Sequence, residues 1–171
     1  MSVNVLFING WGGKVTSTSL AALRYRTIRQ FGNKIFAPDT VNYTNEAELM
    51  RYLDKWVDPQ ILVMLSCGCS SGNKIAAMRS REVIPYAIYY SPSRLCGILG
   101  FPVPANIAKA TQVTSNPWDF FNLGAARMIH PSNGNTTSKI DEIYSGMGHG
   151  STPGHAGAQA RLWAEIRMAL A

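Results

Sequence analysis

The sequence has 171 residues, of which 46% are hydrophobic and 15% are charged, and its formal net charge is +6. This length is that of one domain with a substantial core, and the apolar fraction excludes a disordered chain. The basic residues form no long run, which predicts solvated helix faces and no nucleic-acid partner. No apolar run approaches the roughly 20 residues that span a bilayer, so we predict a soluble cytoplasmic protein without a signal peptide.

Short apolar runs that predict strands alternate along the chain with segments whose apolar residues have helical spacing. A β-branched, apolar run at Val3–Asn9 predicts a strand, which ends at the glycine-rich segment 10–13. A helix follows; its cap lies within 16–18 and it ends near Gly32. A second strand at 34–37 precedes a helix that a cap at Thr44 begins. This helix covers 47–57. The remaining strands are predicted at 61–66, 84–90, 110–115 and 140–144, and the remaining helices at 72–78 and 158–171.

This alternation is typical of a parallel sheet with helices on both faces, because parallel neighbours need a crossover between them. We predict one α/β domain over 1–171, a three-layer α/β/α sandwich with a mostly parallel sheet of five or six strands. The segment 91–109 is a long Pro/Gly-rich excursion between two strands. Its apolar residues, among them Leu99 and Phe101, form either the wall of an acyl-binding pocket or ordinary packing over the sheet.

The sequence GCSSG at 68–72 matches the pattern G-x-S-x-G and lies between a predicted strand and a predicted helix. A serine at such a turn is held in a strained conformation that exposes its hydroxyl, and the helix start offers N–H groups to an anion. Ser70 is therefore predicted as a nucleophile, whereas Ser66 is placed inside the strand. Ser71 is placed on the first helical turn, where its amide matters more than its hydroxyl.

The chain resembles small, nearly lidless serine hydrolases of the α/β-hydrolase superfamily, of the cutinase-like and retinoblastoma-binding-protein-9 types. The likeness rests on NGWGG at 9–13, the serine motif, an acidic residue after a late strand and a histidine before the last helix. It implies a minimal α/β-hydrolase fold and an esterase or lipase that acylates Ser70, acts on small, lipid or polymeric esters and needs no cofactor. It also implies an oxyanion hole made by the amides of Trp11 and Ser71. Cys69 and Asn9 depart from the residues common in that superfamily.

A serine nucleophile needs an imidazole base, and His149 is predicted for that role. It follows the last strand in a glycine-rich loop, which is where the superfamily places its base. His155 is the alternative, with capping of the last helix as its preferred interpretation, and His130 is interpreted as a solvated loop residue.

Asp119 is predicted as the carboxylate of the triad, because it follows the strand that ends near Ser115, where the superfamily places its acid. Its alternative role is to cap a short helix. Asp141 and Glu142 are the fallback candidates.

The three cysteines are predicted to be reduced, and the single residue between Cys67 and Cys69 is a poor spacing for zinc. Cys69 is interpreted as a small packing residue. Two other functions stay open at this point: a binding or assembly protein that keeps only the fold, and an amidase or thioesterase with the same triad.

Overall fold

A computed structural model of the chain describes residues 2–10, 17–55, 60–79, 81–93, 103–115 and 139–171. It has an α/β fold with strands and helices in alternation, as the sequence predicts. The strands are β1 (Val3–Asn9), β2 (Ile35–Phe36), β3 (Val41–Asn42), β4 (Gln60–Leu65), β5 (Tyr86–Tyr90), β6 (Lys109–Thr114) and β7 (Lys139–Tyr144). The helices are α1 (Ser17–Phe31), α2 (Glu46–Lys55), α3 (Gly68–Met78) and α4 (Ala156–Leu170).

The strands form one sheet in the order β2-β1-β4-β5-β6-β7, with β3 pairing the end of β1, and each of these pairings is parallel. Two central strands, β1 and β4, are buried at every position. All carboxyl ends of a parallel sheet lie at one edge, and open α/β sheets bind their ligands there. We call this edge the carboxyl edge.

Helices cover both faces of the sheet. Alternate residues of β1, such as Val5 and Phe7, join a core with α1 and α4, whereas Leu6 and Ile8 join a second core with α2 and α3. Burial on both faces explains why the central strands are continuous apolar runs rather than alternating ones. The three-layer arrangement is therefore confirmed.

The element boundaries differ from the prediction in three places. The second helix is capped by Asn45 rather than Thr44: the Asn45 side chain accepts a bond from the Glu48 amide at 3.3 Å and donates to its carboxylate at 2.7 Å. Strand β3 was not predicted, because two residues carry no periodic signal. Helix α3 begins at Gly68, four residues earlier than expected. The predicted end of α1 is confirmed, since Gly32 has a φ of +57°.

Among the helices that the structure describes, none is both long and apolar enough to cross a bilayer.

Candidate functional site

Ser66 and Cys67 form the turn that joins β4 to α3. Ser66 has a φ of +55°, a conformation that only Ser91 shares among the described non-glycine residues. Its N–H donates to the carbonyl of Tyr90 at 2.9 Å, and its carbonyl accepts from the Cys69 amide at 3.1 Å. The backbone of Ser66 is thus fixed both by the sheet and by the helix. A left-handed conformation costs a side-chain-bearing residue of the order of 1 to 2 kcal/mol, and such residues cluster at functional sites.

Ser70 does not occupy the turn, so the prediction that it lies at the tip is wrong. It is the third residue of α3, and its amide donates to the Cys67 carbonyl at 3.1 Å. The amide of Ser71, predicted as an oxyanion donor, donates to the same carbonyl at 3.3 Å and so takes part in the first helical turn. The position of the turn was predicted from the two glycines of the pattern G-x-S-x-G. The apolar run ends at Leu65, and that boundary is the signal that could have identified Ser66.

Two glycines bring the end of β1 against this turn. A Cβ on Gly10 would lie 2.5 Å from the Cβ of Ser66, and one on Gly68 would lie 2.5 Å from the carbonyl oxygen of Ile8. Contacts below 3.0 Å leave no room for a side chain, so only glycine fits at either position. The glycine loop predicted after β1 therefore starts directly beside Ser66.

Cys67 is the residue after Ser66 and the N-cap residue of α3. Its amide lies at the positive end of the helix dipole, which favours negative charge nearby. Cys67 is disulfide-bonded, and Cys69 is a free, buried thiol. The expectation that all three cysteines are reduced is therefore wrong. Burial raises the pKa of the Cys69 thiol far above its ordinary value, which makes this cysteine a poor nucleophile.

His149 begins a 3-10 segment, His149–Gly154, that follows β7, and its side chain is buried. The hydroxyl of Thr152 donates to the His149 carbonyl at 3.1 Å, and the hydroxyl of Ser91 donates to Thr152 at 3.2 Å. Ser91 directly follows β5, the neighbour of β4 in the sheet. The hydroxyl of Ser19, in α1, also bonds the carbonyl of Gly150. These contacts fix the His149 segment at the carboxyl edge, one strand away from Ser66.

The alternative candidates have structural partners. His155 is the N-cap residue of α4, and its Nδ1 accepts a bond from the Ala158 amide at 3.2 Å, which confirms the capping interpretation. Asp141 is the third residue of β7, away from the carboxyl edge, and it is ion-paired with Arg161. Glu142 is exposed to solvent. Both fallback carboxylates lie on residues in the middle of β7 and not at its carboxyl end.

Five of the predicted residues lie outside the described part of the chain: Trp11, Leu99, Phe101, Asp119 and His130. Within the described part, no three His, Cys, Asp or Glu side chains are grouped so as to hold a metal ion. The geometry therefore supplies a strained serine, a helix N-terminus and a buried histidine segment at one edge of the sheet.

A scan of the sequence against models of protein families found no match, and a search among curated proteins found no relative.

Proposed function

We propose that this protein is a serine hydrolase that cleaves carboxylic esters, with Ser66 as its nucleophile in place of Ser70. The observation that carries this proposal is the conformation of Ser66: a φ of +55° at a strand-to-helix turn, pressed against Gly10. Such a turn presents the hydroxyl at the carboxyl edge while the helix behind it presents N–H groups. Glycine would adopt this backbone conformation more easily than serine, so a serine at this position favours a role for its hydroxyl.

The remaining roles follow from the chemistry of acyl transfer. A serine hydroxyl is too weak an acid to attack unaided, so a neutral imidazole must take its proton, and His149 is a buried histidine at this edge. Asp119 is proposed as the carboxylate that orients the imidazole. The amides of Cys67 and Trp11 are proposed as the oxyanion donors; Cys67 replaces Ser71 because it directly follows the nucleophile.

The reaction proceeds in two displacements. The Ser66 oxygen attacks the ester carbonyl carbon as His149 accepts the hydroxyl proton, and the oxyanion is held by the two amides, each worth roughly 3 kcal/mol in such sites. Collapse of this intermediate breaks the bond to the alcohol, which leaves with the proton from His149. Water, deprotonated by His149, then attacks the acyl-enzyme and releases the carboxylic acid and Ser66. Amide or thioester cleavage would use the same steps.

The test is covalent labelling with a fluorophosphonate, followed by tandem mass spectrometry. After reduction of the Cys67 disulfide, trypsin is expected to release residues 56–74 as one peptide that contains Ser66, Ser70 and Ser71, so fragment ions must assign the adduct. We expect the adduct on Ser66, its loss in Ser66→Ala, and its retention in the matched control Ser70→Ala. An adduct on Ser70 would restore the original assignment, and the absence of any adduct would contradict a serine hydrolase and favour a binding protein.

Substrate class is tested with p-nitrophenyl esters of increasing acyl length. The apolar residues of 91–109, which include Leu99 and Phe101, are proposed to contact the acyl chain. We therefore expect kcat/KM to rise from the acetyl ester to longer acyl groups. A preference for acetate would contradict this part of the proposal while leaving the assignment of Ser66 intact.

A further inference from the structure

Two buried hydroxyl groups lie beside the proposed site and take no part in the reaction described above. Ser91 is 2% exposed and Thr152 is fully buried. Ser91 repeats the geometry of Ser66 one strand further along the sheet: its φ is +44°, and its N–H donates to the Val113 carbonyl at 2.8 Å. Its side chain therefore leaves the carboxyl edge beside that of Ser66, because β4 and β5 are paired neighbours.

The two hydroxyls form a chain that ends at the histidine. Ser91 Oγ donates to Thr152 Oγ1 at 3.2 Å, and Thr152 Oγ1 donates to the carbonyl oxygen of His149 at 3.1 Å. A buried hydroxyl without a partner is costly, so each of these groups constrains the next one. The acceptor is the backbone of His149, which means that the chain fixes the position from which the imidazole extends.

The sequence around His149 gives a reason for such an anchor. Glycines at 146, 148 and 150 surround the histidine, and Gly146 has a φ of +65°. Ser145 is bonded to the Thr114 carbonyl through both its amide and its hydroxyl, each at 2.9 Å. The loop is thus held to β6 at its start, and the hydroxyl chain holds its middle to β5. A glycine-rich backbone has little intrinsic preference for one conformation, so these bonds select it.

We propose that Ser91 and Thr152 are positioning residues that hold His149 at the carboxyl edge of the sheet through this pair of hydrogen bonds. The inference rests on the proposed function, because it assigns to His149 the role of base. A displacement of about 1 Å in a catalytic group can reduce turnover by roughly 100-fold. Loss of the chain should therefore lower kcat, whereas substrate binding should change little.

The kinetic test compares Thr152→Val, which is isosteric but has no hydroxyl, with Thr152→Ser, which keeps it. We expect Thr152→Val to lower kcat on a p-nitrophenyl ester by roughly 10- to 100-fold with little change in KM, and Thr152→Ser to restore it. Ser91→Gly removes the other hydroxyl, keeps the positive φ accessible and should behave like Thr152→Val.

Thr27→Val is the matched control. Thr27 is a fully buried threonine of α1 whose hydroxyl donates to the Leu23 carbonyl at 2.8 Å, and it lies outside the proposed site. Loss of the Thr27 hydroxyl should lower the thermal midpoint about as much as loss of the Thr152 hydroxyl does, and it should leave kcat unchanged. An unchanged kcat in Thr152→Val, or an equal loss of kcat in Thr27→Val, would overturn the positioning role.

Hydrogen exchange tests the anchor without relying on catalysis. We expect amides of the His149–Gly154 segment to exchange faster in Thr152→Val and Ser91→Gly than in the wild type or Thr27→Val. Unchanged exchange in that segment would refute the anchor. If the wild type neither labels nor cleaves esters, the proposed function fails, while the exchange data still decide whether the hydroxyl pair holds this segment.

Discussion

Gly10 packs against Ser66 so closely that a Cβ on the glycine would lie 2.5 Å from the serine Cβ and 2.8 Å from the Leu65 carbonyl oxygen. Gly10, at the end of β1, is therefore in direct contact with the turn that follows β4, although about 55 residues of the sequence separate them. A larger residue at position 10 must displace that turn.

Replacement of Gly10 by alanine is expected to lower the free energy of unfolding by about 1 to 3 kcal/mol, the usual range for overpacking a tight site. It should also reduce fluorophosphonate labelling, because the displaced atoms belong to Ser66 and its neighbours. Urea denaturation measures the first effect. Gly154→Ala serves as the stability control, since its Cβ would meet only Met147 Cε at 3.5 Å. Equal stabilities of the two variants would contradict the close contact.

The positive φ of Ser66 predicts an unusual order of stability for two inactive variants. Ser66→Gly should be more stable than Ser66→Ala by about 1 kcal/mol, because alanine tolerates a φ of +55° poorly. Ser70, in the first turn of α3, provides the comparison: there alanine should be the more stable, by up to about 0.5 to 1 kcal/mol, because its helix propensity is higher than that of glycine. Chemical denaturation of the four variants measures their free energies of unfolding. If alanine were more stable than glycine at both positions, Ser66 would not be strained.

His155 is expected to matter for stability and not for catalysis. Its Nδ1 caps α4 through the Ala158 amide, so His155→Ala should cost about 1 kcal/mol, and His155→Asn should recover most of that loss. Both variants should still label with a fluorophosphonate, whereas His149→Ala should not. Loss of labelling in His155→Ala alone, with its fold intact by circular dichroism, would move the base to His155.

Cys69 is expected to be inert in the native protein. Burial raises the pKa of its thiol, so the reactive thiolate is absent at neutral pH and the sulfur is also inaccessible. Iodoacetamide at pH 8 should therefore leave Cys69 unmodified until denaturant is added. Peptide mapping after alkylation reads this directly. Rapid native modification of Cys69 would mean that the turn opens readily.

Three buried tyrosines predict a loss of stability in alkali. Burial raises the pKa values of Tyr86, Tyr89 and Tyr90 above that of a free phenol. The folded state therefore keeps these protons more tightly than the unfolded state, so its stability is complete below about pH 10 and declines as pH rises above that value. Tyrosinate absorbance from these residues should appear together with the loss of secondary structure. Ionisation in the folded protein at pH 10 would contradict their burial.

Much of the fold could be predicted from the sequence. Strands β1 and β4 are buried on both faces, so they are continuous apolar runs that are easily recognised, as are the helices between them. The identity of the turn serine was not accessible in the same way. Gly68 and Gly72, the two glycines of the motif, pack against other elements. A Cβ on Gly68 would lie 2.5 Å from the Ile8 carbonyl oxygen, and one on Gly72 would lie 2.2 Å from the Met64 sulfur, so the Met64 side chain would have to move. The two glycines of the motif therefore reflect the packing of α3 on the sheet.

The cores described above join the beginning of the fold to its end: Val5 and Phe7 of β1 share one buried cluster with Leu162 and Ile166 of α4. Complete burial of those strand residues therefore requires side chains that are synthesised more than 150 residues later in the sequence. During synthesis β1 has its neighbouring strands and α1 long before α4 completes this core. The Ser66 turn, which packs on β1, should accordingly become rigid only after α4 has been synthesised, and nascent chains that lack α4 should depend on chaperones.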